Sequence, residues 1–179
     1  MHLKIINNKE SAQEIFTMAL LYKDHNVNNY TEFQFNKAWP LWLNFYVLYN
    51  LDDIVAFCGI KKYEGGYARI FDRYFVFPKY RKKSLSDNEH SLFMIQKLVD
   101  DCNKEKLIPF FSIQYEKHRK ALEIAVKKFN KCLYPHNTFH ILDGMYCTVP
   151  EKKNNINDLK CWQNIAVKYP HKINLEYKP

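Results

Sequence analysis

The sequence contains few of the residues that interrupt regular structure. Four of its 179 residues are glycine and seven are proline, which is too few for a collagen-like or linker-dominated chain, and no internal repeat is visible. Charged residues interrupt every apolar run before the roughly 20 residues that a membrane-spanning helix needs. The N-terminal residues MHLKIINNKE also lack the apolar segment of a signal peptide. We therefore expect a folded, cytoplasmic protein that is not embedded in a membrane.

Cysteine pairs are absent as well. The five cysteines are widely spaced, odd in number and form no C-x-x-C motif, which favours reduced thiols over a disulfide framework or a zinc site. The histidines show no spacing typical of metal ligands, and no Cys-His or Ser-His-Asp arrangement with a nucleophile motif is recognisable. We therefore expect no metal ion, and nothing in the sequence indicates nucleophilic catalysis.

The chain is instead rich in apolar, aromatic and basic residues. Hydrophobic residues make up 47% of it and aromatic residues 16%, which is enough for a packed core and argues against disorder. The formal net charge is +8, with 27 lysines and arginines against 19 aspartates and glutamates. This charge favours an acidic partner, such as a nucleotide-like cofactor, a nucleic acid or an anionic substrate, without distinguishing among them.

Hydrophobic periodicity predicts a strand, two helices and three strands in the first half of the chain. After a short strand at His2–Ile6, helical spacing predicts one helix that ends near Tyr22 and a second that begins at Thr31 and kinks or ends at Pro40. Three extended runs follow, and their short polar connections predict an antiparallel meander, because parallel strands need a long crossover. These runs are Phe45–Asn50, Ile54–Tyr63 and Tyr67–Phe77.

The second half predicts further strands and helices beside this meander. Ser86–Glu89 has the S-x-x-E pattern of a capping box and predicts the start of a helix with an apolar stripe. A strand at Ile108–Tyr115, another helix and a hairpin at Phe139–Val149 follow, and the Asp-Gly pair of the hairpin suits a type I′ turn. The fold class is therefore α+β, with a mixed sheet and helices packed on it. The apolar stripe contains Leu92, Ile95, Leu98, Val99 and Cys102.

The stretch Tyr74–Ser86, YFVFPKYRKKSLS, joins the third run of the meander to the capped helix. A strand that feeds such a loop leaves backbone N–H groups and the positive end of the helix dipole pointing at one spot beyond the strand. Arg81, Lys82 and Lys83 add positive charge there, so the loop is a candidate site for an anion such as a diphosphate. A basic loop that is only solvated is the alternative interpretation.

This stretch resembles the coenzyme A loop of the GNAT superfamily of N-acetyltransferases. The family pattern is an apolar strand, often V-x-P-x-Y, followed by Q/R-x-x-G-x-G/A. Val76, Pro78, Tyr80 and Arg81 match it in kind and spacing. Ser84 and Ser86 stand where the family has its small residues.

Ser84 and Ser86 occupy the positions where the family usually has glycine. The glycines let the pyrophosphate approach the backbone, whereas serine carries a Cβ and prefers negative φ. The resemblance nevertheless implies a set of diphosphate-binding residues in this loop and a strand whose backbone bonds the pantetheine arm. The implied loop residues are Arg81, Lys82, Lys83, Ser84, Leu85 and Ser86, and the implied strand residues are Phe75, Val76 and Phe77.

The resemblance also implies an architecture and an activity. It implies a mixed, mostly antiparallel sheet of about six to seven strands with helices on both faces. Residues 1–150 would form this domain, and residues 151–179 would form a helical extension packed on it. The implied activity is direct transfer of an acetyl group from acetyl-CoA, as co-substrate, to an amine. A monomer or a homodimer is expected.

Acetyl transfer to an amine needs a base that keeps the amine neutral and an acid for the departing thiolate. Asp72 lies in mid-strand among aromatic residues and is the candidate base, with a structural ion pair to Arg69 or Arg73 as the alternative. The resemblance implies a tyrosine acid at the segment FNKCLY, where Phe129 lacks the hydroxyl. Tyr134 nearby is the candidate acid, and a buried structural tyrosine is the alternative.

Two tryptophans, Trp39 and Trp42, flank Pro40 at the end of the second predicted helix. Aromatic residues at this spacing are usually core residues, but amphipathic rings also line ligand clefts. The resemblance implies that the first two helices and their connection form one wall of the acceptor site. Both tryptophans are therefore candidates for the substrate wall.

Two other functions are compatible with the sequence. The first is a catalytically inactive protein with the same fold, kept for binding or interaction. The second is a basic nucleic-acid-binding module, which the charge and the interleaved lysines and aromatic residues favour. No RNA-recognition, zinc-finger or helix-turn-helix motif supports the second alternative.

Overall fold

A computed structural model describes residues 1–22, 27–63, 66–81, 89–112, 124, 127–129, 131, 137–142 and 145–150. The chain divides into two compact units. The first contains Met1–Lys62 and Ile70–Arg81, and the second contains Tyr63–Arg69 and Lys82–Pro179. Within the described part of the chain, no helix combines the length and the apolar character needed to cross a membrane.

The first unit is built on four neighbouring strands in the order β1-β2-β3-β4. β1 pairs antiparallel with β2, and β2 pairs antiparallel with β3 around a tight turn at Leu51 and Asp52. The N–H of Phe77 donates to the carbonyl of Val55 at 2.9 Å, which joins the end of β4 to the beginning of β3. The strands are β1 (His2–Ile5), β2 (Trp42–Asn50), β3 (Asp53–Tyr63) and β4 (Tyr67–Val76).

Two short helices, α1 (Lys9–Thr17) and α2 (Glu32–Ala38), belong to the same unit. Asn8 caps α1, because its Oδ1 accepts from the N–H of Ser11 at 2.8 Å. Thr31 caps α2 in the same way, as the sequence predicts. The helix α2 ends before the proline at position 40, and a 3₁₀ turn at Trp39–Leu41 leads directly into β2.

The core of the first unit is a cluster of aromatic rings. The ring of Phe16 in α1 lies 5.3–5.9 Å, centroid to centroid, from four other rings. Burial of each such side chain contributes about 2–3 kcal/mol to the free energy of unfolding, so this cluster holds α1 and α2 on the sheet. The four rings are those of Tyr30, Phe35, Trp42 and Phe57.

The second unit contains the start of β4, one described helix and three strands. Tyr67–Arg69 pair in parallel with Ile108–Phe110, and α3 provides the crossover that a parallel pair requires. β5 pairs antiparallel with β7, and β7 pairs antiparallel with β6. The elements are α3 (Glu89–Lys104), β5 (Ile108–Ser112), β6 (Asn137–Leu142) and β7 (Met145–Pro150).

The α3 stripe agrees with the predicted one except at its beginning. Ile95, Leu98, Val99 and Cys102 are fully buried, whereas Leu92 is half-buried and Met94 is buried in addition.

Helices combined with parallel and antiparallel strand pairs confirm the α+β class with a mixed sheet. The expected single sheet of six to seven strands in the GNAT arrangement stays a prediction. Residues 151–179, the expected helical extension, lie outside the described residues.

Candidate functional site

The strand β4 is irregular on both sides of Asp72. Phe71 has φ 56° and Arg73 has φ 53°, so two non-glycine residues adopt the left-handed conformation inside a strand. Each such residue costs on the order of 1–3 kcal/mol and persists only when its surroundings hold it in place. Strained and bulged positions of this kind concentrate at functional sites. This irregularity therefore marks Asp72 as the centre of the candidate site.

The carboxylate of Asp72 is buried and hydrogen-bonded. Only 2% of the residue is exposed, and the indole Nε1 of Trp42 donates to Oδ2 at 2.7 Å. Burying a carboxylate is expensive unless hydrogen bonds compensate for the lost water. A charge-assisted bond from a buried donor provides part of that compensation, and removing such a donor costs about 1–3 kcal/mol. Trp42 and Asp72 therefore form one hydrogen-bonded pair in the site.

A glycine in β3 makes room for this indole. A Cβ built on Gly59 would lie 2.4 Å from Cε2 and 2.5 Å from Nε1 of Trp42. Real Cβ atoms do not approach so closely, so the indole ring lies directly on the backbone of the strand. The pairing of β2 with β3 is irregular between Trp42 and Phe45, which allows the ring to reach this position. A glycine inside a strand signals such a close approach.

The two residues that follow Asp72 are held by the segment that precedes β2. The Nη2 of Arg73 donates to Oε1 of Gln34 at 3.1 Å. The hydroxyl of Tyr30 donates to the backbone carbonyl of Tyr74 at 3.1 Å. Tyr30, Gln34 and Trp42 thus each contact one of three consecutive residues of β4. These contacts supply the surroundings that the left-handed residues require.

The end of β4, predicted to bond the pantetheine arm, is buried and already takes part in internal hydrogen bonds. Phe75, Val76 and Phe77 are 4%, 9% and 4% exposed. The N–H of Phe77 donates to Val55, and the carbonyl of Val76 accepts from Nε of Arg81 at 2.6 Å. The guanidinium of Arg81 lies 4.9 Å from the centroid of the Phe75 ring. Arg81 is therefore folded back on the strand end while its backbone leads into the predicted loop.

The 3₁₀ turn Pro78–Tyr80 fixes the path of the chain between β4 and that loop. Nζ of Lys79 and the hydroxyl of Tyr80 both donate to Oδ2 of Asp53, at 2.5 Å and 2.8 Å. The hydrogen bonds from Lys79 and Tyr80, with the charge of Lys79, lower the pKa of Asp53, and the hydrogen bond to Asp53 raises the pKa of Lys79. The pair is exposed to solvent, so it orients the turn more than it stabilises the fold.

A buried thiol lies close to the Asp72 carboxylate. Burial raises the pKa of Cys58 well above its ordinary value, and the charge of Asp72 raises that pKa further. The backbone N–H of Phe71 has the opposite, smaller effect. A thiol with a raised pKa and no exposure is a poor nucleophile. Among the residues that the structure describes, no group of three His, Cys, Asp or Glu side chains could hold a metal ion.

The structure brings together some of the residues that the sequence singles out. Asp72 lies against Trp42, and Arg81 lies against Phe75 and Val76. Trp39 is half-buried and stacks on Phe35 with centroids 5.3 Å apart. The remaining predicted residues lie outside the described part of the chain. They are Lys82, Lys83, Ser84, Leu85, Ser86 and Tyr134.

Three residues of the site are absent from the sequence-based prediction. Tyr30 and Gln34 carry no local signal, because their partners lie 44 and 39 residues further along the chain. Gly59 does carry a local sequence signal, since it is an isolated glycine within an apolar strand.

Comparison of the chain with family models, with curated proteins and with solved structures gives no match. The site itself and the resemblance of the loop therefore provide the grounds for a functional proposal.

Proposed function

We propose that this protein is an acetyl-CoA-dependent N-acetyltransferase that transfers the acetyl group directly to an amine in the cytoplasm. The observation that carries the proposal is the strained segment around Asp72, placed in β4 shortly before a cationic turn. A buried carboxylate in a strained strand is typical of a catalytic position. The cationic sequence that follows suits a diphosphate.

The order of the elements also supports the proposal. A strand, two helices and three strands precede the loop, and a helix then leads to a strand that is parallel to β4. The hairpin of β6 and β7 continues beside β5 through β7. The GNAT arrangement implied by the loop has the same succession, with about six to seven strands and helices on both faces. Residues 1–150 would carry it, with 151–179 as an extension.

In the proposed reaction, the amine nitrogen attacks the carbonyl carbon of the thioester and the carbon–sulfur bond breaks. Asp72 accepts the proton of the amine, directly or through one water, and Tyr134 donates a proton to the departing thiolate. Phe75, Val76 and Phe77 would lie along the pantetheine arm, and Trp39 would belong to the acceptor wall. Trp42 contacts the base instead. Because Asp72 is 2% exposed, its carboxylate offers the amine little direct access.

In this proposal Arg81 holds the diphosphate together with Lys82 and Lys83 and the backbone from Ser84 to Ser86. The bond from its Nε to Val76 keeps the guanidinium at the strand end. A guanidinium fixed in this way loses less conformational entropy when it binds a phosphate than a freely rotating side chain does.

Calorimetric titration with acetyl-CoA tests the binding step, with Arg81→Ala compared with Lys79→Ala. Both substitutions remove one cation near the end of β4, but only Arg81 belongs to the proposed diphosphate-binding residues, whereas Lys79 bonds to Asp53. We expect Arg81→Ala to weaken binding about 10-fold, because a charge-assisted contact is lost, and Lys79→Ala to leave it unchanged. Equal effects of the two variants would contradict a specific diphosphate site. Salt-sensitive binding to mixed oligonucleotides without any response to CoA would instead indicate a nucleic-acid-binding module.

A non-catalytic protein that binds CoA through the same fold is the second candidate. It is favoured by the internal hydrogen bonds at Val76 and Phe77, which engage backbone groups of the expected pantetheine site. A thiol-release assay with acetyl-CoA and a panel of small amines, peptides and aminoacyl compounds separates the two candidates. Thiol release with any acceptor supports the enzyme. Saturable CoA binding without thiol release supports the binding protein.

A further inference from the structure

We propose that the segment Tyr30–Trp42 is a positioning clamp that holds β4 in its irregular conformation, with Trp42 as the residue that orients the Asp72 carboxylate. The proposal rests on the proposed acetyltransferase function for its catalytic consequence, but the clamp itself is a property of the fold. In this proposal Trp42 orients Asp72, whereas the sequence-based prediction placed Trp42 in the substrate wall.

The clamp consists of three contacts to three consecutive residues. Trp42 donates to the side chain of Asp72, Gln34 accepts from the side chain of Arg73, and Tyr30 donates to the backbone of Tyr74. The contacts therefore fix the side chain of Asp72, the side chain of Arg73 and the backbone carbonyl of Tyr74. Relaxation of this segment to regular β geometry is opposed by these contacts at three successive residues.

The strand conformation explains why such a clamp is needed. Phe71 and Arg73, at φ 56° and 53°, would each be more stable in an extended conformation. Rotation of Phe71 into the β region would turn the side chain of Asp72, the next residue, away from its present direction. Without the clamp, Asp72 would therefore have no single orientation.

Trp42 is the most rigid member of the clamp. Its ring lies on Gly59, stacks on Phe45 with centroids 5.2 Å apart and meets Phe35 edge to face at 5.9 Å. It is 7% exposed. An indole enclosed on these sides cannot rotate, so its N–H sets the position of one carboxylate oxygen. The other oxygen of Asp72 is thereby given a fixed direction, which a general base requires.

The first test compares Trp42→Phe with Trp39→Phe. Both replace an indole by a smaller ring in the same aromatic cluster, but only Trp42 bonds to Asp72. We measure amide hydrogen exchange across β4 in the full-length protein. Trp42→Phe is expected to accelerate exchange at Phe71–Tyr74 about 10-fold or more, and Trp39→Phe is expected to leave it unchanged. Equal exchange at these residues in the two variants overturns the clamp.

Gln34→Leu keeps the test decisive if Trp42→Phe does not fold. This substitution removes the acceptor for Arg73 from a half-buried position on α2. The clamp predicts faster exchange at the same four residues, without a change in α3. Unchanged exchange at Phe71–Tyr74 in a folded Gln34→Leu protein also overturns it.

Steady-state kinetics tests the catalytic consequence. Trp42→Phe should lower kcat about 10- to 100-fold with the KM for acetyl-CoA nearly unchanged, because a misplaced base slows chemistry without affecting cofactor binding. Trp39→Phe, which alters the proposed acceptor wall, should instead act mainly on the KM for the amine. An unchanged kcat in Trp42→Phe refutes the positioning role. If the wild-type protein releases no thiol with any acceptor, the acetyltransferase proposal fails, and hydrogen exchange alone decides on the clamp.

Discussion

Two buried aspartates among the described residues show how differently one protein can accommodate a carboxylate. Asp101 in α3 is 5% exposed and accepts hydrogen bonds from Lys97 and Lys104, its neighbours one helical turn away on either side. Asp72 in β4 is 2% exposed and accepts from an indole 30 residues away. Asp101 belongs to a regular helix, whereas Asp72 lies between two strained residues. A carboxylate that a fold holds at this cost is the better candidate for chemistry.

Each of these aspartates lies near a buried thiol, and the two thiols respond alike. Burial is the main cause that raises the pKa of Cys58 and of Cys102, and the neighbouring carboxylate adds to it in both cases. The pKa of Cys102 rises to about 12. The likeness of the thiols shows that burial alone does not distinguish the two regions. The two regions differ instead in backbone strain and in whether the hydrogen-bond donor comes from the same helix or from a distant segment.

The largest difference between the two aspartates is expected in catalysis. Asp72→Asn keeps the shape of the side chain and an acceptor for Trp42, but it removes the base. We expect acetyl transfer to fall by about 10²- to 10⁴-fold. Asp101→Asn, the matched control, should leave the rate within about twofold. The two rates are measured by thiol release at saturating acetyl-CoA, and a similar loss in both variants would remove the reason to assign Asp72 a catalytic role.

The stability of the Asp72 region is tested next by Gly59→Ala. The added Cβ would overlap the Trp42 ring, so the indole must move and the free energy of unfolding should fall by about 2 kcal/mol. Gly66→Ala is the control, because that glycine has open space around it but φ 83°, which costs alanine only about 1 kcal/mol. Urea unfolding measures both. A loss at Gly59 no greater than at Gly66 would show that the indole is not held tightly.

The thiol beside Asp101 predicts a smaller, pH-dependent effect. Because the pKa of Cys102 is raised in the folded protein, its contribution to stability is complete below the ordinary thiol pKa and is lost as the pH rises towards about 12. Between pH 9 and pH 10, the loss should be on the order of 1 kcal/mol. Cys102→Ala should show a shallower decline over this range in urea unfolding. An identical slope in the variant and the wild type would contradict the prediction.

The smallest effect is expected at Asp53, an exposed carboxylate with a lysine partner. Its lowered pKa means that its contribution is present above its ordinary pKa and disappears as the pH falls through the folded value. The pair is largely solvated, so Asp53→Asn should not measurably change the melting temperature at neutral pH. A clear decrease, measured by calorimetry, would show that the turn after β4 contributes more to folding than its exposure suggests.

Much of the fold follows from local patterns. The meander is found within a few residues of its predicted limits, although β2 begins at Trp42 rather than at Phe45. Asn8 caps α1, and Thr31, where the second helix is predicted to begin, caps α2. In the site, Asp72 lies inside β4, which agrees with the predicted mid-strand position. The left-handed residues Phe71 and Arg73 could not be predicted, because neither is glycine, asparagine or aspartate.

The sequence by itself determined the elements of this protein, because capping, periodicity and turn formation depend on residues a few positions apart. It also placed a carboxylate, a proline and a run of cations in order along one strand and the loop after it. Only the tertiary structure decided that the indole N–H of Trp42 donates to the carboxylate of Asp72. That contact depends on the irregular pairing of β2 with β3 and on a glycine whose missing side chain leaves room for the ring. The irregular pairing and the contact of the ring with Gly59 arise from packing between distant segments, which local patterns do not determine.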